Sequence, residues 1–176
     1  SLPVIISGAT GGVGSIALLI LKKLGVETVA FSRRPETATY LQSLGAKEVI
    51  NTWEESNKPL LKGVYSAGID TVGGPVLENM IKRIHSNGSV ALCGMAASPD
   101  FCTSVFPFIL RGLTLHGIES AEAPMAWRKS LWHKLATEWK PEGLEAITRT
   151  VSLEGLEAEI QQMLAGKALG RVVIKM

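Results

Sequence analysis

The chain has 176 residues, of which 46% are hydrophobic and 19% are charged. This composition is typical of a folded domain with a sizeable core, and it excludes an intrinsically disordered protein. The formal net charge is only +2 and the Lys and Arg residues are scattered, which argues against a nucleic-acid-binding protein.

The sequence shows no signal for membrane insertion or export. The apolar stretch at residues 15–21 ends at Lys22, well short of the roughly 18–20 apolar residues that a membrane span needs. The first residues have neither the basic region nor the cleavage site of a signal peptide. Cys93 and Cys102 have no paired spacing, as in proteins of reducing compartments. We therefore expect a cytoplasmic protein without membrane contact.

The sequence also predicts no metal site. His85, His116 and His133 are isolated along the chain, and neither cysteine belongs to a Cys-x-x-Cys pair. Structural and catalytic zinc sites need Cys and His ligands in clusters. We therefore expect no zinc.

Short β-branched runs alternate with helical patterns along the chain. The first half is predicted to contain a strand at 3–7, a helix at 12–24, a strand at 28–32, a helix at 35–44 and a strand at 48–50, followed by an unassigned polar stretch at 51–62. The second half is predicted to contain a strand at 66–72, a helix at 76–85, strands at 89–93 and 113–118 separated by a short helical or irregular turn at 106–111, helices at 125–139, 142–149 and 153–164, and a strand at 170–175. This alternation predicts an α/β Rossmann fold, a doubly wound parallel sheet of order 3-2-1-4-5-6 with helices on both faces.

The sharpest local signal is the loop at residues 7–14, which reads SGATGGVG between the first predicted strand and helix. Gly11 and Gly12 let the backbone approach a pyrophosphate, and Gly14 lets the helix pack closely on the strand. The helix N-terminus offers free N–H groups and a positive dipole end. Ala9 stands where the G-x-G-x-x-G pattern has its first glycine. We interpret the segment as a dinucleotide phosphate loop; the alternative is a tight turn without a ligand.

Two other classes of nucleotide enzyme fit the sequence less well. The short-chain dehydrogenases share a similar loop but use a Tyr-x-x-x-Lys pair, and here Leu44 and Ile69 follow Tyr40 and Tyr65 at that spacing. A methyltransferase gains no support either, because no acid ends the second strand to hold a ribose.

The end of the second strand favours NADPH over NADH. An NAD site carries an Asp or Glu about 20 residues beyond the glycines, where it binds the ribose 2′-hydroxyl. The chain instead has Ser32, Arg33 and Arg34 at this point. Serine can donate to a 2′-phosphate, and guanidinium groups pair with it through charge-assisted bonds. The alternative is that both arginines belong to a solvated loop.

Five segments in this order resemble the acryloyl-CoA reductase and quinone oxidoreductase branch (YhdH/YhfP type) of the medium-chain dehydrogenase/reductases. They are residues 8–15, 40–46, 70–74, 106–112 and 170–173, which read GATGGVGS, YLQSLGA, DTVGG, FPFILRG and GRVV. The resemblance covers essentially the whole chain, and FPFILRG is its most branch-specific part.

The resemblance implies a zinc-independent oxidoreductase that reduces an activated C=C bond, as in acryloyl-CoA or a quinone-like substrate, by hydride transfer from NADPH. It also implies roles for individual residues. The cofactor-binding residues carried over by position are Thr10, Gly11, Gly12, Val13 and Gly14 at the pyrophosphate; Ser32, Arg33, Arg34 and Tyr40 at the 2′-phosphate and adenine; Thr71, Val72, Gly73, Cys93 and Gly94 along the riboses; and Leu115, Gly117, Ile118 and Gly170 near the nicotinamide.

The resemblance further implies how the chain is organised. Residues 1–150 are the expected NADP-binding Rossmann domain, and residues 151–176 are a C-terminal helix and strand that would pack on an N-terminal GroES-like catalytic domain. Because members of the branch carry their catalytic acid in that other domain, no catalytic residue is assigned here, and we expect this chain alone to be inactive. A homodimer through the sixth strand is also implied. The alternative from a different class is a non-catalytic dinucleotide-binding or interaction module.

Overall fold

The computed structural model describes residues 1–54 and 56–176. Six parallel strands form one sheet in the order β3-β2-β1-β4-β5-β6, which confirms the predicted topology. The strands are β1 Val4–Ser7, β2 Thr28–Phe31, β3 Glu48–Ile50, β4 Tyr65–Asp70, β5 Ile84–Leu92 and β6 Thr114–Gly117.

Helices cover both faces of the sheet, as predicted. Adjacent residues of a strand point to opposite faces, so Ile5 and Ile6 of β1 belong to two separate cores. Ile5 packs in the core that includes Leu77 and Met80 of α3 (Gly74–Ile81), whereas Ile6 packs in the core that includes Leu18 of α1 (Gly12–Lys23). Helix α2 (Ala38–Ser43) lies on the α1 face and follows a 3-10 turn at Pro35–Thr37.

Strand β5 begins earlier than the sequence predicts. The predicted helix at 76–85 ends at Ile81, and Ile84 already pairs with Tyr65 of β4. The register then shifts, and Ser89 pairs with Ala67. Asn87, in this shifted stretch, has a positive φ of 60°. The stretch at residues 84–89 reads IHSNGS and carries no alternation that indicates a strand, so only the pairing with β4 places it in the sheet.

The predicted helix at 142–149 is wrong. This segment forms a 3-10 turn at Leu144–Ile147 and then β7 (Thr148–Ser152), which pairs in parallel with β8 (Arg171–Lys175) as a separate two-stranded sheet. The β-branched residues of Thr148–Ser152 favour a strand once a partner strand is available, and that partner lies about twenty residues further on. The expected boundary between residues 150 and 151 falls inside β7.

The last two helices cover little of the core. Helix α5 (Met125–Ala136) and helix α6 (Leu156–Leu164) contain no fully buried residue. Their outer faces expose large apolar side chains: Trp127, Leu131 and Trp132 on α5, and Met163 and Leu164 on α6. None of the helices in the described part of the chain is both long and apolar enough to span a bilayer.

Helix α4 (Phe106–Arg111) is fastened to the sheet by its last residue. The Arg111 guanidinium donates hydrogen bonds to the backbone carbonyls of Lys82 at 3.0 Å and Ile84 at 2.8 Å, and to that of Leu61. Arg111 therefore satisfies backbone acceptors around the start of β5, which explains its place in the FPFILRG segment structurally.

Candidate functional site

A cleft of about 590 Å³ opens at the carboxyl ends of the strands. It lies where the loops after β1 and β4 diverge, which is the crevice where ligands bind in open α/β sheets. Its walls come from four places in the chain: Gly8, Thr10 and Gly11 after β1; Phe31, Ser32, Arg33 and Arg34 at the end of β2; Thr71, Val72, Val76, Ala96 and Ala97 after β4 and β5; and Met163, Leu164, Ala165, Gly166 and Ala168 near the C-terminus.

The loop after β1 presents the N-terminus of α1 to the cleft. The helix begins at Gly12 after an extended Gly11, and no side chain caps its first turn. That turn contains no acidic residue. The hydroxyl of Ser15 is turned away, donating to the Gly11 carbonyl at 2.7 Å. The free N–H groups and the helix dipole therefore favour an anion at this point.

Gly14 lets α1 approach β1 closely. A Cβ atom on Gly14 would lie 2.5 Å from the carbonyl oxygen of Gly8 and 2.6 Å from the Cα of Ala9. Both neighbours are backbone atoms that cannot rotate away. The predicted packing role of Gly14 is therefore visible in the structure, although Gly14 itself does not line the cleft.

The end of β2 supplies the cationic side of the cleft. Ser32 is buried, and its hydroxyl lies 3.0 Å from that of Thr37. Arg33 is exposed, whereas Arg34 is half-buried and donates hydrogen bonds to Thr10 and to the backbone of Ala168. Among the described residues, no Asp or Glu lines the cleft. The electrostatic field at this end therefore favours a negatively charged group.

A buried aspartate shapes the loop after β4. Asp70 is fully buried and accepts hydrogen bonds from the Ser7 hydroxyl at 2.6 Å and the Gly73 N–H at 2.8 Å. Thr71 completes the network, because its N–H donates to Ser7 Oγ and its hydroxyl donates to the Ser7 carbonyl. The carboxyl ends of β1 and β4 are therefore held together by side chains. Sequence reasoning assigned no role to Asp70; an acid that ends an otherwise buried strand was the signal available.

Cys93 and Gly94 extend this arrangement to β5. The Cys93 N–H donates to the Asp70 carbonyl at 2.9 Å, and its Sγ lies 3.4 Å from the same oxygen. Burial, and secondarily the Asp70 charge, raise the pKa of the Cys93 thiol. A thiol with a raised pKa stays protonated at neutral pH, so Cys93 is not suited to nucleophilic chemistry although the residue as a whole is exposed.

The structure brings seven of the predicted cofactor residues to the wall of one cleft. These are Thr10, Gly11, Ser32, Arg33, Arg34, Thr71 and Val72. Gly12 and Val13 belong to the adjoining first turn of α1. Gly170 lies behind the loop, with its N–H bonded to the Thr10 carbonyl at 2.8 Å. Gly73 and Gly94 line a neighbouring cavity of about 320 Å³ under the loop after β5.

Other predicted residues lie elsewhere. Tyr40 lines a separate cavity of about 310 Å³ beside Ile147 and Leu169, and its hydroxyl has no hydrogen-bond partner among the described residues. Burial raises the pKa of Tyr40. Gly117 and Ile118 line a groove next to α5, and Leu115 packs on the core. The tertiary structure thus separates Tyr40 from the cleft that the two arginines line.

Sequence reasoning missed two parts of the cleft wall. Phe31 lines the cleft and stacks on Trp53, with ring centroids 4.9 Å apart. Residues 163–166 and Ala168 form another part of the wall, and Ala168 shares an Arg34 nitrogen with Thr10 of the phosphate loop. No local sequence pattern identifies either part, because an apolar helix end or a phenylalanine at the end of a strand can also belong to a core without lining a cleft.

The model of one protein family, described as zinc-binding dehydrogenase, matches residues 12–137. The chain belongs to the zinc-binding dehydrogenase family. Among the described residues, no group of three or more His, Cys, Asp or Glu side chains is placed to hold a metal ion.

The relatives of this chain confirm the resemblance to the YhdH/YhfP type. It is 38% identical to the putative quinone oxidoreductase YhfP of Bacillus subtilis, over 98% of the chain and 54% of the relative. It is also 38% identical to the acrylyl-CoA reductase AcuI of Ruegeria pomeroyi, over 98% of the chain and 53% of the relative. The chain thus spans about half the length of the curated relatives it matches.

Solved structures of the same type share the fold. The structure of Escherichia coli K-12 YhdH with bound NADPH superimposes with a TM-score of 0.92 at 36% identity, covering 98% of this chain and 54% of that one. The Bacillus subtilis YhfP structure with bound NAD gives a TM-score of 0.93 at 38% identity, with 99% and 54% covered. The predicted Rossmann fold is confirmed.

Proposed function

We propose that this chain is the NADPH-binding portion of an oxidoreductase that reduces an activated C=C bond of acryloyl-CoA or a quinone-like substrate. The observation that carries the cofactor assignment is the end of β2, where Ser32, Arg33 and Arg34 line the cleft and no carboxylate of the described residues does. The NADPH in the related YhdH structure supports it. The NAD in the related YhfP structure makes the choice between the two dinucleotides the point to test.

The pyrophosphate is assigned to the N-terminus of α1. The loop residues Thr10 and Gly11, with Gly12 and Val13 of the first turn, bring backbone N–H groups and the helix dipole to this point. An anion there replaces water as the acceptor of helix N–H groups that have no partner within the helix. Gly14 serves this site indirectly, by holding α1 against β1.

The 2′-phosphate is assigned to Ser32 and the two arginines. The Thr37 hydroxyl donates to the Arg34 carbonyl at 2.7 Å, so the buried Ser32 hydroxyl donates to Thr37 at 3.0 Å. Ser32 would turn this proton to the 2′-phosphate when the dinucleotide binds. Arg33 is exposed at the rim and free to fold over a phosphate. Charge-assisted hydrogen bonds of this type are about twice as strong as neutral ones.

The remaining cofactor assignments stay predictions. Thr71, Val72 and Gly73 after β4, and Cys93 and Gly94 after β5, are assigned to the ribose side of the cleft, where the buried Asp70 network fixes their backbone. Leu115, Gly117 and Ile118 stay assigned to the nicotinamide end. Gly170 and Tyr40 are not carried into this proposal, because Gly170 bonds to the Thr10 carbonyl in the phosphate loop and Tyr40 lines a separate cavity.

Bound NADPH would supply a hydride for the β-carbon of the substrate, in a reaction that needs no zinc. The residues of this chain bind and orient the dinucleotide, and no residue here is assigned to stabilise the enolate or to deliver the proton. We therefore propose that the chain alone does not oxidise NADPH when acryloyl-CoA is added. Turnover above the rate without protein, followed at the NADPH absorbance band, would contradict this.

The cofactor assignment is tested by titrating the chain with NADPH and NADH and following tryptophan fluorescence, because Trp53 stacks on the cleft residue Phe31. The wild type is expected to bind NADPH at least tenfold more tightly than NADH. Arg33→Ala is expected to weaken NADPH binding by roughly tenfold and to leave NADH binding unchanged, since one charge-assisted contact contributes about 1.5–3 kcal/mol. Arg128→Ala, on α5 away from the cleft, is the matched control. Equal affinities of the wild type for the two dinucleotides would contradict the assignment.

The surface beside β6 supports a homodimer as the assembly. β6 is an edge strand of the sheet. Beside it lies a groove of about 430 Å³ lined by Ile118, Trp127 and Trp132, all about half or more exposed. An open strand edge next to apolar side chains favours pairing with a second copy. We expect a dimer by sedimentation equilibrium and a shift towards monomer in Trp132→Glu; a wild-type monomer at tens of micromolar would count against it.

A further inference from the structure

Three distant parts of the chain meet at Thr10. One guanidinium nitrogen of Arg34 donates to the Thr10 hydroxyl at 2.8 Å and to the Ala168 carbonyl at 2.9 Å. The Gly170 N–H donates to the Thr10 carbonyl at 2.8 Å. Thr10, Arg34, Ala168 and Gly170, called here the Thr10 clasp, thus join the phosphate loop, the end of β2 and the C-terminal turn in a closed ring of hydrogen bonds.

The backbone at Gly170, on the C-terminal side of the clasp, has no room for a side chain. Gly170 has a φ of +59°, and a Cβ there would meet the carbonyl group of Ile147. Both features favour glycine, which needs no Cβ space and adopts positive φ freely. The backbone that follows places the Arg171 side chain across Gly12, at the start of α1. The turn is therefore held in one register against the phosphate loop.

Little else fixes this turn to the Rossmann sheet. The preceding helix α6 buries none of its residues, and Met163 and Leu164 are 67% and 77% exposed. Residues 163–166 and Ala168 nevertheless form one wall of the cleft. A wall with few packing contacts depends on the hydrogen bonds at its end for its position.

We infer that Arg34 is a positioning residue that fastens the C-terminal turn to the phosphate loop, so that the affinity for the dinucleotide depends on the Thr10 clasp whether or not the 2′-phosphate is present. This rests on the proposed function and changes the role of Arg34 within it. Nη2 of Arg34 is already engaged by two acceptors, whereas Arg33 is exposed at the rim of the cleft. The two adjacent arginines therefore have different tasks.

The two tasks predict different specificities. Replacing a residue that only contacts the 2′-phosphate weakens the binding of NADPH and leaves the binding of NADH unchanged. Replacing a residue that holds the phosphate loop and the C-terminal turn in place weakens the binding of both dinucleotides, because the adenosine and pyrophosphate parts are common to the two. NADH is therefore the informative ligand for Arg34, and Arg33 is its matched control.

The test is a double-mutant cycle on the full chain with Arg34→Ala, Thr10→Val and the double variant, each titrated with NADPH and with NADH. Arg34→Ala and Thr10→Val are each expected to raise the dissociation constants of both NADPH and NADH by roughly tenfold. The double variant is expected to bind no more weakly than Arg34→Ala alone, since the bond that Thr10→Val removes is one of the two that Arg34→Ala already removes. Loss of NADPH affinity alone in Arg34→Ala, or effects that multiply in the double variant, would overturn the inference.

A second readout needs no cofactor. Amide hydrogen exchange over residues 165–171 of the free chain is expected to be at least tenfold faster in Arg34→Ala than in the wild type, and unchanged in Arg33→Ala. Unchanged exchange in Arg34→Ala would overturn the clasp even if both dinucleotides bind as proposed. Conversely, a wild type that binds neither dinucleotide would refute the proposed function, while the exchange result would still decide on the clasp.

Discussion

Replacing Gly14 by alanine is expected to lower the free energy of unfolding by about 3 kcal/mol, although alanine is intrinsically the better helix former by about 1 kcal/mol. The new Cβ would lie 2.5 Å from the Gly8 carbonyl oxygen and 2.6 Å from the Ala9 Cα. Relief requires α1 to move away from β1, which opens the core around Leu18 and Ile6. The prediction is checked by urea denaturation followed by far-ultraviolet circular dichroism.

Gly12→Ala, two positions earlier, is the matched control. A Cβ at Gly12 would meet only the end of the Arg171 side chain, which is exposed and can rotate away. We expect this variant to unfold within about 1 kcal/mol of the wild type. If the two alanine variants had the same stability, close packing of α1 on β1 would not explain the need for Gly14.

The second large effect is expected at Asp70. Asp70→Ala would leave the Ser7 hydroxyl and the Gly73 N–H without an acceptor in a fully buried place. Buried donors that lose a charged partner cost about 1–3 kcal/mol each, so we expect a loss of about 3 kcal/mol or more. Chemical denaturation measures this loss in the free energy of unfolding. Faster amide hydrogen exchange at Thr71 and Gly73 would show that the loop after β4 is loosened locally.

The nearby Asp100 provides the comparison for Asp70. It is exposed, and its contacts with Ser98 are made by its backbone. Asp100→Ala is therefore expected to leave the free energy of unfolding at the wild-type value. Wild-type stability in Asp70→Ala would mean that the two strand ends are held together by packing alone.

The strand order and the phosphate loop were predictable because their signals are local. A run of β-branched residues next to a helical period identifies each βα unit, and the right-handed connection of parallel strands then leaves few topologies. The loop at residues 7–14 lies between β1 and α1 as its glycines indicate. The absence of an acid at the end of β2 could likewise be read directly, because Ser32, Arg33 and Arg34 follow one another.

Contacts between segments that are distant in the chain were not predictable from the sequence. Asp70 acts on Ser7 across two strands that are adjacent in the sheet and 63 residues apart in the chain. The predicted helix at 142–149 ran into the first two residues of β7, because these residues give no sign of the partner strand at Arg171–Lys175. Tyr40 occupies a separate cavity, since the face that a helical side chain presents depends on how the helix packs.

The Rossmann sheet, the glycine-rich loop between β1 and α1 and the cationic end of β2 could therefore be predicted without the structure, since each is encoded by residues close together in the chain. Only the tertiary structure decided that the turn at residues 163–170 forms a wall of the cleft and that Arg34 bonds to Thr10 and to Ala168, 134 residues further on. Hydrogen bonds between remote segments leave no periodic pattern in a sequence, because the partners are brought together by the packing of the intervening elements.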